Sequence, residues 1–324
     1  MKAITLGEFG VKLSEIDLPS PKSSQVLVKV RACGMNRSDL LETQGQSFGH
    51  LSGDTKVLGG EFAGEVVEVG SEVKGLVVGD KVMCRGGSGW AEYAVANWRR
   101  AEPMGDADIS WEQAACVQGA LQTMHDAIVT NGRFKSGQTA LIQGASSGAG
   151  LMGLQIARAM GAKLVIGTSG NAERRARLSE FGADIALDSS DEGWVEQVLE
   201  ATDGNGVDVT VDMLSGDFVN RNMQVTAVYG RVINIGRLAG MSTEFNCDLH
   251  AARRLHYIGT TGRSRSMDEH AEVRRRANED LWDAVIRGKI ASPIDKIFPL
   301  EEAATALARM NASEHFGKIV LKVQ

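Results

Sequence analysis

Three glycines in the run GASSGAGLMGLQIARAMGA, Gly148, Gly150 and Gly153, fall in the spacing Gly-x-Gly-x-x-Gly. The apolar segment TALIQG precedes them and a helical apolar repeat follows. That arrangement suits a dinucleotide pyrophosphate. The turn needs positive φ, the phosphates need backbone bare of side chains, and a helix start offers free N–H groups and a positive dipole end. The spacing alone also describes an ordinary glycine-rich bend, so the surrounding elements must decide. Ser146, Ser147, Gly148, Ala149 and Gly150 are the expected phosphate contacts, chiefly through their main chain.

The next predicted strand bears on which dinucleotide. An NAD site usually places Asp or Glu about 20 residues after the glycines to hold the ribose hydroxyls. Here that strand ends in GTSGNAERR, with Thr168, Ser169 and Asn171 where an acid would stand, followed by Arg174 and Arg175. A 2′-phosphate is repelled by carboxylates and held by hydroxyls and guanidinium groups. NADPH is therefore expected over NADH, with Arg174 at the phosphate and Arg175 a solvated surface residue.

These residues need a frame, and the chain from Thr139 onward supplies one by alternating strand and helix patterns. TALIQG, KLVIGT, DIALD, VDVTVDM, RVINIG and LHYIGTT read as strands. Helices are expected at Gly150 to Met160, Ala172 to Phe181, Glu192 to Ala201 and Phe218 to Val228. The rhythm predicts a doubly wound, Rossmann-type parallel sheet. Ligands bind at the carboxyl ends of such strands, which nominates Leu214, Gly236, Arg237, Leu238, Thr260 and Thr261. Upstream, VLVKVRA and EFAGEVVEVG are β-branched strands in a compact, partly closed β-domain, followed by a helix from Ile109 to Val129 capped by Asp108 or Ser110. After a charged helix (Met267 to Arg287), KIVLKV (Lys318 to Val323) is expected to return to the first domain. The expected division is 1–122, 123–262 and a returning segment, 263–324.

With 324 residues, two domains are the default. A formal charge of −6 shows no basic footprint, which argues against nucleic acid and anionic membrane surfaces. No apolar run approaches the roughly 20 residues that span a bilayer, and no leader pattern opens the chain, so a cytoplasmic setting is expected. Cys33, Cys84, Cys116 and Cys247 are scattered, without a Cys-x-x-Cys pair. LHYIGTT is expected at the outer edge of its sheet, where pairing across a two-fold axis would make a homodimer.

The segments GMNRSDLLETQGQ, GGEFAGEVVEVG, GASSGAGLMGLQIA, DMLSG, GRVINIG and FGKIVL resemble the medium-chain dehydrogenase/reductase superfamily over essentially the whole chain. More narrowly, they resemble its zinc-free NADPH quinone oxidoreductases, the ζ-crystallin-like group. The resemblance implies a GroES-like β-domain beside the Rossmann domain, with the cofactor across the cleft. Zinc-dependent relatives carry Cys near Asn36, His near Gly60 and a four-cysteine loop near residues 85–100; none of these is here, so no metal is expected. The resemblance places Asn36, Arg37 and Asp39 on the nicotinamide side, with Asn36 and Asp39 the catalytic candidates. Asn36 would donate to the acceptor carbonyl or the carboxamide, or else cap a turn; Asp39 would act there or pair with Arg37. Thr123 matches a position near the nicotinamide, and Lys318 one where the last strand passes the cofactor. Relatives carry a Tyr in the acceptor pocket where this chain has Ser47 and Phe48.

Without a zinc Lewis acid, alcohol oxidation is disfavoured and hydride transfer to a quinone or conjugated enone fits better. No general acid stands out, which leans toward a quinone. The expectation is a zinc-independent NADPH:quinone reductase. An NADPH-dependent enone or enal reductase and a non-catalytic NADPH-binding protein are the alternatives.

Overall fold

The computed structural model describes residues 1–7, 10–45 and 57–323. In chain order its strands and helices open with β1 (Lys2–Gly7), β2 (Gly10–Glu15), β3 (Gln25–Gly34), α1 (Arg37–Thr43), β4 (Glu61–Val69), β5 (Lys81–Arg85), β6 (Tyr93–Asn97) and β7 (Ala101–Pro103). There follow α2 (Trp111–His125), β8 (Thr139–Ile142), α3 (Gly148–Ala159), β9 (Leu164–Thr168), α4 (Ala172–Ala176), β10 (Ile185–Leu187), α5 (Trp194–Ala201), β11 (Val207–Asp212), α6 (Phe218–Val225) and β12 (Thr226–Asn234). The remainder comprises α7 (Cys247–Arg253), β13 (His256–Gly259), α8 (Met267–Ile286), β14 (Ile294–Pro299), α9 (Ala303–Asn311) and β15 (Lys318–Lys322). Two compact units result: 1–119 with 263–324, and 120–262. Among the described residues no helix is long and apolar enough to cross a membrane.

The first unit is built on a sheet in the order β14-β15-β3-β4-β5-β7, with β6 also paired to β3. β15 joins one end of β3 (Val320 opposite Gly34) and β6 the other (Val28 opposite Ala94), while β4 runs along its far side. The core collects Phe62, Trp90, Met35, Leu58, Ile319 and Leu321, each almost wholly buried. KIVLKV thus returns to the first unit as a strand flanked on both sides, and its alternate residues have no solvent-facing side: Lys318 to Leu321 are all buried.

The second unit is a six-stranded sheet in the order β10-β9-β8-β11-β12-β13, every pairing parallel. Strands covered on both faces lose the polar alternation of a half-exposed sheet, as the fully buried run Thr139–Ile142 illustrates. Trp194, Val195 and Val198 of α5 pack with Leu141, Ile166 and Val207 of the sheet. The helix expected to reach Val228 stops at Val225. Thr226 instead enters β12, its hydroxyl 2.8 Å from that of Thr210 and donating to the Asn222 carbonyl. The register then slips from Val207↔Thr226 to Val209↔Arg231, leaving a bulge that holds Tyr229 at φ 64°. The helix expected at Ala172 to Phe181 also shortens, to α4 followed by a tight turn at Leu178–Phe181.

Candidate functional site

In the second unit, β8 delivers the chain to the glycine loop, and buried polar side chains hold the loop from beneath. The Thr168 hydroxyl donates to Gln143 Oε1 at 2.6 Å and accepts the Gly144 N–H at 3.2 Å. Gln143 in turn donates to Asn222 Oδ1 at 2.8 Å, and the Ala145 N–H reaches the Thr168 carbonyl at 2.8 Å. Thr168 is fully buried, so it braces the loop rather than facing a ribose as expected. Ser147 caps α3, its hydroxyl accepting the Gly150 N–H at 3.0 Å. The Ser146 and Ser169 hydroxyls lie 3.0 Å apart. A Cβ on Gly150 would sit 2.6 Å from the Ala145 Cα, so only glycine lets the helix approach the loop this closely. Small residues, a capped helix start and first-turn N–H groups without helical partners make a cradle that fits a pyrophosphate.

The strand tip beyond it differs in one respect from expectation. Arg175 is not solvated: its guanidinium donates to the Ser169 carbonyl at 2.9 Å and pairs with Asp188 at 2.9 Å. Asp188 brings a carboxylate to the tip from the end of β10, a strand the spacing rule does not inspect. Hydrogen bonds from Ser190, and secondarily Arg175, hold its pKa below the ordinary Asp value. Arg175 neutralises this acid, and Arg174, its neighbour in α4, is a further cation in the same helix. Asn171 caps α4, accepting the Arg174 N–H at 3.0 Å.

At the carboxyl ends of β11, β12 and β13 the organiser is Asp212, fully buried and unnoticed in the sequence except as the first residue of DMLSG. Its Oδ1 accepts the Leu214 and Ser215 N–H groups, each at 2.9 Å, and Asn234 Nδ2 and the Tyr257 hydroxyl approach Oδ2. Asn234 Nδ2 also donates to Ser215 Oγ at 2.5 Å, and Ser215 to the Gly236 carbonyl. The network shapes a depression lined in part by Ser215, Asn234, Arg237 and Tyr257. Leu214 and Gly236 are half-buried, Arg237 and Leu238 exposed, and the Thr260 N–H is bound to the Asn234 carbonyl at 2.9 Å. Thr261 is exposed, and Thr123 is half-buried near the end of α2.

In the first unit, Asn36, Asp39 and Lys318 come together, with a fourth residue the sequence reading missed. Glu61, 2% exposed, pairs through Oε1 with the Lys318 ammonium, itself 5% exposed. Lys318 also donates to Asn36 Oδ1 at 2.8 Å, and Glu61 Oε2 accepts the Gly119 N–H at 3.0 Å. Buried charges persist only when paired, and this one is. Burial works against the ammonium, but Glu61, with Cys116 and Asp39, raises the Lys318 pKa above the ordinary lysine value. The available signal was a Glu and a Lys, each heading an uncharged run, Phe62 to Gly64 and Ile319 to Leu321. Lys318, expected beside the cofactor, has its amine engaged inside this unit. Asp39 does not pair with Arg37: its Oδ2 accepts the Asn36 N–H at 2.7 Å, and Arg37 reaches Ser313 Oγ. Asn36 is half-buried at the start of α1. Ser47 and Phe48 lie outside the described residues. Among the described residues no group of three or more His, Cys, Asp or Glu side chains is placed to hold a metal ion.

Burial pushes the Asp39 carboxyl up to about 7, against the hydrogen bond from Asn36. Its ionisation is thus harder in the folded than in the unfolded chain. A carboxyl with a raised folded pKa lowers stability as pH climbs from about 4 to about 7. Asp39→Asn should flatten that part of the curve, measured by urea unfolding at pH 5 and pH 8; an unchanged difference between the two pH values would contradict the assignment.

Residues 22–106 match the alcohol dehydrogenase GroES-like domain family, and residues 148–278 match the zinc-binding dehydrogenase family. The quinone oxidoreductase of Rattus norvegicus is 29% identical, covering 99% of this chain and 97% of its own length. A mycocerosic acid synthase-like polyketide synthase of Mycobacterium tuberculosis is 32% identical over 97% of this chain, which spans only 15% of that protein. The solved structure of mycobacterial Rv1454c complexed with NADPH superposes with a TM-score of 0.88 at 25% identity, covering 99% of both chains. A GroES-like sheet unit, a parallel Rossmann sheet and matches along nearly the full length agree: the chain belongs to the medium-chain dehydrogenase/reductase superfamily.

Proposed function

We propose that the chain is an NADPH-dependent oxidoreductase that works without a metal ion and reduces quinones. The observation that carries the reading is the second unit's phosphate cradle beside a strand tip where Arg175 pairs with the Asp188 carboxylate and Arg174 adds a second guanidinium for a 2′-phosphate. Bound there, NADPH supplies a hydride to the acceptor. The main chain of Ser146 to Gly150 holds the pyrophosphate; Ser169, Asn171 and Arg174 hold the ribose phosphate. Leu214, Gly236, Arg237, Leu238, Thr260 and Thr261 serve the nicotinamide half. The Lys318 ammonium occupies Asn36 Oδ1 as a hydrogen-bond donor, so a metal ion there would have to displace it, which supports metal-free chemistry. A reduced quinone is an anion of modest basicity that solvent can protonate, so no positioned acid is required. The likeness to the rat quinone oxidoreductase supports the same acceptor class.

A second reading, reduction of α,β-unsaturated carbonyls, is favoured by the Asp39 carboxyl, which with its pKa near 7 retains a proton in much of the population at neutral pH. An enolate needs a proton donor more than a hydroquinone anion does. The two separate when NADPH oxidation is followed with 1,4-benzoquinone and with an enone in parallel. A rate with the quinone is expected, a rate with the enone alone replaces the first reading by the second, and NADPH binding with no rate on either rejects both.

Arg174→Glu should weaken NADPH about 100-fold and NADH by less than about threefold, since a lost charge-assisted contact carries roughly 1.5–3 kcal/mol and the new carboxylate adds repulsion. Equal losses for both nucleotides, by fluorescence titration, would remove Arg174 from the phosphate. The reading includes a homodimer paired along β13, the outer strand of the six-stranded sheet, whose open edge needs a partner. Light scattering should give a two-chain particle, and a single-chain mass would contradict the dimer.

A further inference from the structure

The amide of Asn36 is chemically two-faced. Its oxygen accepts, its nitrogen donates, and the two ends are nearly the same shape, so packing alone cannot choose which end faces outward. An ammonium can: it has three donors and no acceptor. We infer that Lys318 is a positioning residue whose hydrogen bond to Asn36 Oδ1 turns the Asn36 Nδ2 outward as the donor for the acceptor oxygen. The inference rests on the reductase reading above and adds to it what sets the polarity of that contact.

The register explains why these two residues meet. β15 and β3 pair with Lys322 opposite Ala32 and Val320 opposite Gly34. Past Gly34 the Met35 N–H still reaches the Ile319 carbonyl, and one step on, Lys318 meets the Asn36 side chain. β4 approaches from the other side of β3 with Glu61 opposite Gly34. Three strands thus bring a cation, an anion and an amide to one end of the sheet.

The ammonium has no room to retreat. It is almost wholly buried and held by Glu61, whose second oxygen is fixed by the Gly119 N–H. A Cβ at Gly34 would lie 2.6 Å from Glu61 Oε1, and one at Gly119 would collide with Oε2, so the bare backbone at these positions makes the space for the carboxylate. The Asn36 backbone is also fixed. Its N–H donates to Asp39 Oδ2 at 2.7 Å, its carbonyl accepts the Asp39 N–H at 3.0 Å, and the preceding Met35 N–H reaches the Ile319 carbonyl at 3.0 Å. With the oxygen held by Lys318, a flipped amide would set N–H against N–H. The outward group is then a donor, matched to a carbonyl or an oxyanion rather than to an alcohol or amine hydrogen. Charge developing on that oxygen during hydride arrival strengthens the bond, which is where such a donor acts on rate.

Glu61 must not be stranded when the lysine is removed, so the test compares wild type with Lys318→Met/Glu61→Gln, each with Asn36 and with Asn36→Ala, and adds Lys318→Arg. The expected result is a kcat loss of about 10- to 100-fold in the charge-free pair, within the range for a mispositioned oxyanion donor. NADPH affinity should be unchanged, Lys318→Arg should retain kcat within about threefold, and Asn36→Ala should show no further loss when the pair is also removed. Losses that multiply, or a charge-free pair with full kcat, would overturn the inference, because a merely structural lysine does not act through Asn36. Neutron diffraction of deuterated wild-type crystals reads the orientation independently of turnover. Deuterons of Asn36 Nδ2 facing away from Lys318 support the inference, and deuterons facing it overturn it. A wild type that reduces neither acceptor would sink the reductase reading, while the diffraction result still decides the orientation.

Discussion

Lys318→Met should lower the stability of the chain by about 3–5 kcal/mol, the range for breaking a buried ion pair by removing one partner. The reason is what remains. Glu61 is 2% exposed, its carboxylate sits in space left by Gly34 and Gly119, and without the ammonium the Gly119 N–H and the more distant Arg85 guanidinium must answer its charge. Removing both charges in Lys318→Met/Glu61→Gln should recover most of the loss, since replacing a buried pair by neutral groups is often nearly neutral. Urea unfolding of the two variants at one pH measures the contrast. A single variant within about 1 kcal/mol of wild type would mean that water reaches Glu61 and that the pair is not the closed unit described above.

Gly150→Val carries the second large effect, on both stability and NADPH affinity. Its Cβ would lie 2.6 Å from the Ala145 Cα and 2.7 Å from the Ala145 carbonyl carbon, and backbone cannot swing aside as a side chain can. The loop must lift from α3, straining the Ala145 N–H bond to the Thr168 carbonyl and the Ser147 cap on Gly150. Forced overpacking of this kind typically costs about 1–3 kcal/mol in stability. The same displacement misaligns the N–H groups that would meet the pyrophosphate, and we expect NADPH affinity to fall on the order of 100-fold, equivalent to roughly 2.7 kcal/mol. Calorimetric titration together with thermal unfolding separates the effects. Binding within about threefold of wild type would show that the cradle is not where the phosphates lie.

The parts of this molecule that are legible in its sequence are those whose logic is local. β8, the glycines and α3 follow one another within 21 residues, from Thr139 to Ala159, and their apolar run, bare turn and helical repeat each reflect a neighbouring constraint. The second sheet is legible for the same reason, since parallel strands buried on both faces advertise themselves as short apolar runs. Where a side chain outbids the local pattern the reading slips, as at Thr226, whose hydroxyl bonds draw it into β12. β14 is disguised by Asp295, Lys296 and Pro299, and Asp295 accepts hydrogen bonds from Arg309 that no local pattern announces.

The site divides along the same line. The phosphate loop could be read directly, but Asp188 escaped because the rule for ribose recognition looks at the end of β9 and the acid arrives from β10. Asp212 and Asn234 escaped as buried polar residues at strand ends, which only the parallel register of β11 on β12 brings within reach of each other. Glu61 and Lys318 lie in strands far apart in the sequence, and only the register of β15 on β3 and of β3 on β4 brings them together with Asn36.

That register has a consequence during synthesis. Asn36 and Lys318 are 282 positions apart, so every strand of the second unit emerges from the ribosome before β15 does. Until then the nascent first sheet holds one end of β3 unpaired and the Glu61 carboxylate without its counter-ion. The later-encoded Rossmann layer can therefore mature ahead of the earlier-encoded β layer, and closing so distant a pairing is entropically slow. A stalled or truncated translation product would consequently expose an adhesive strand edge, making it a natural client for chaperones that shield such edges.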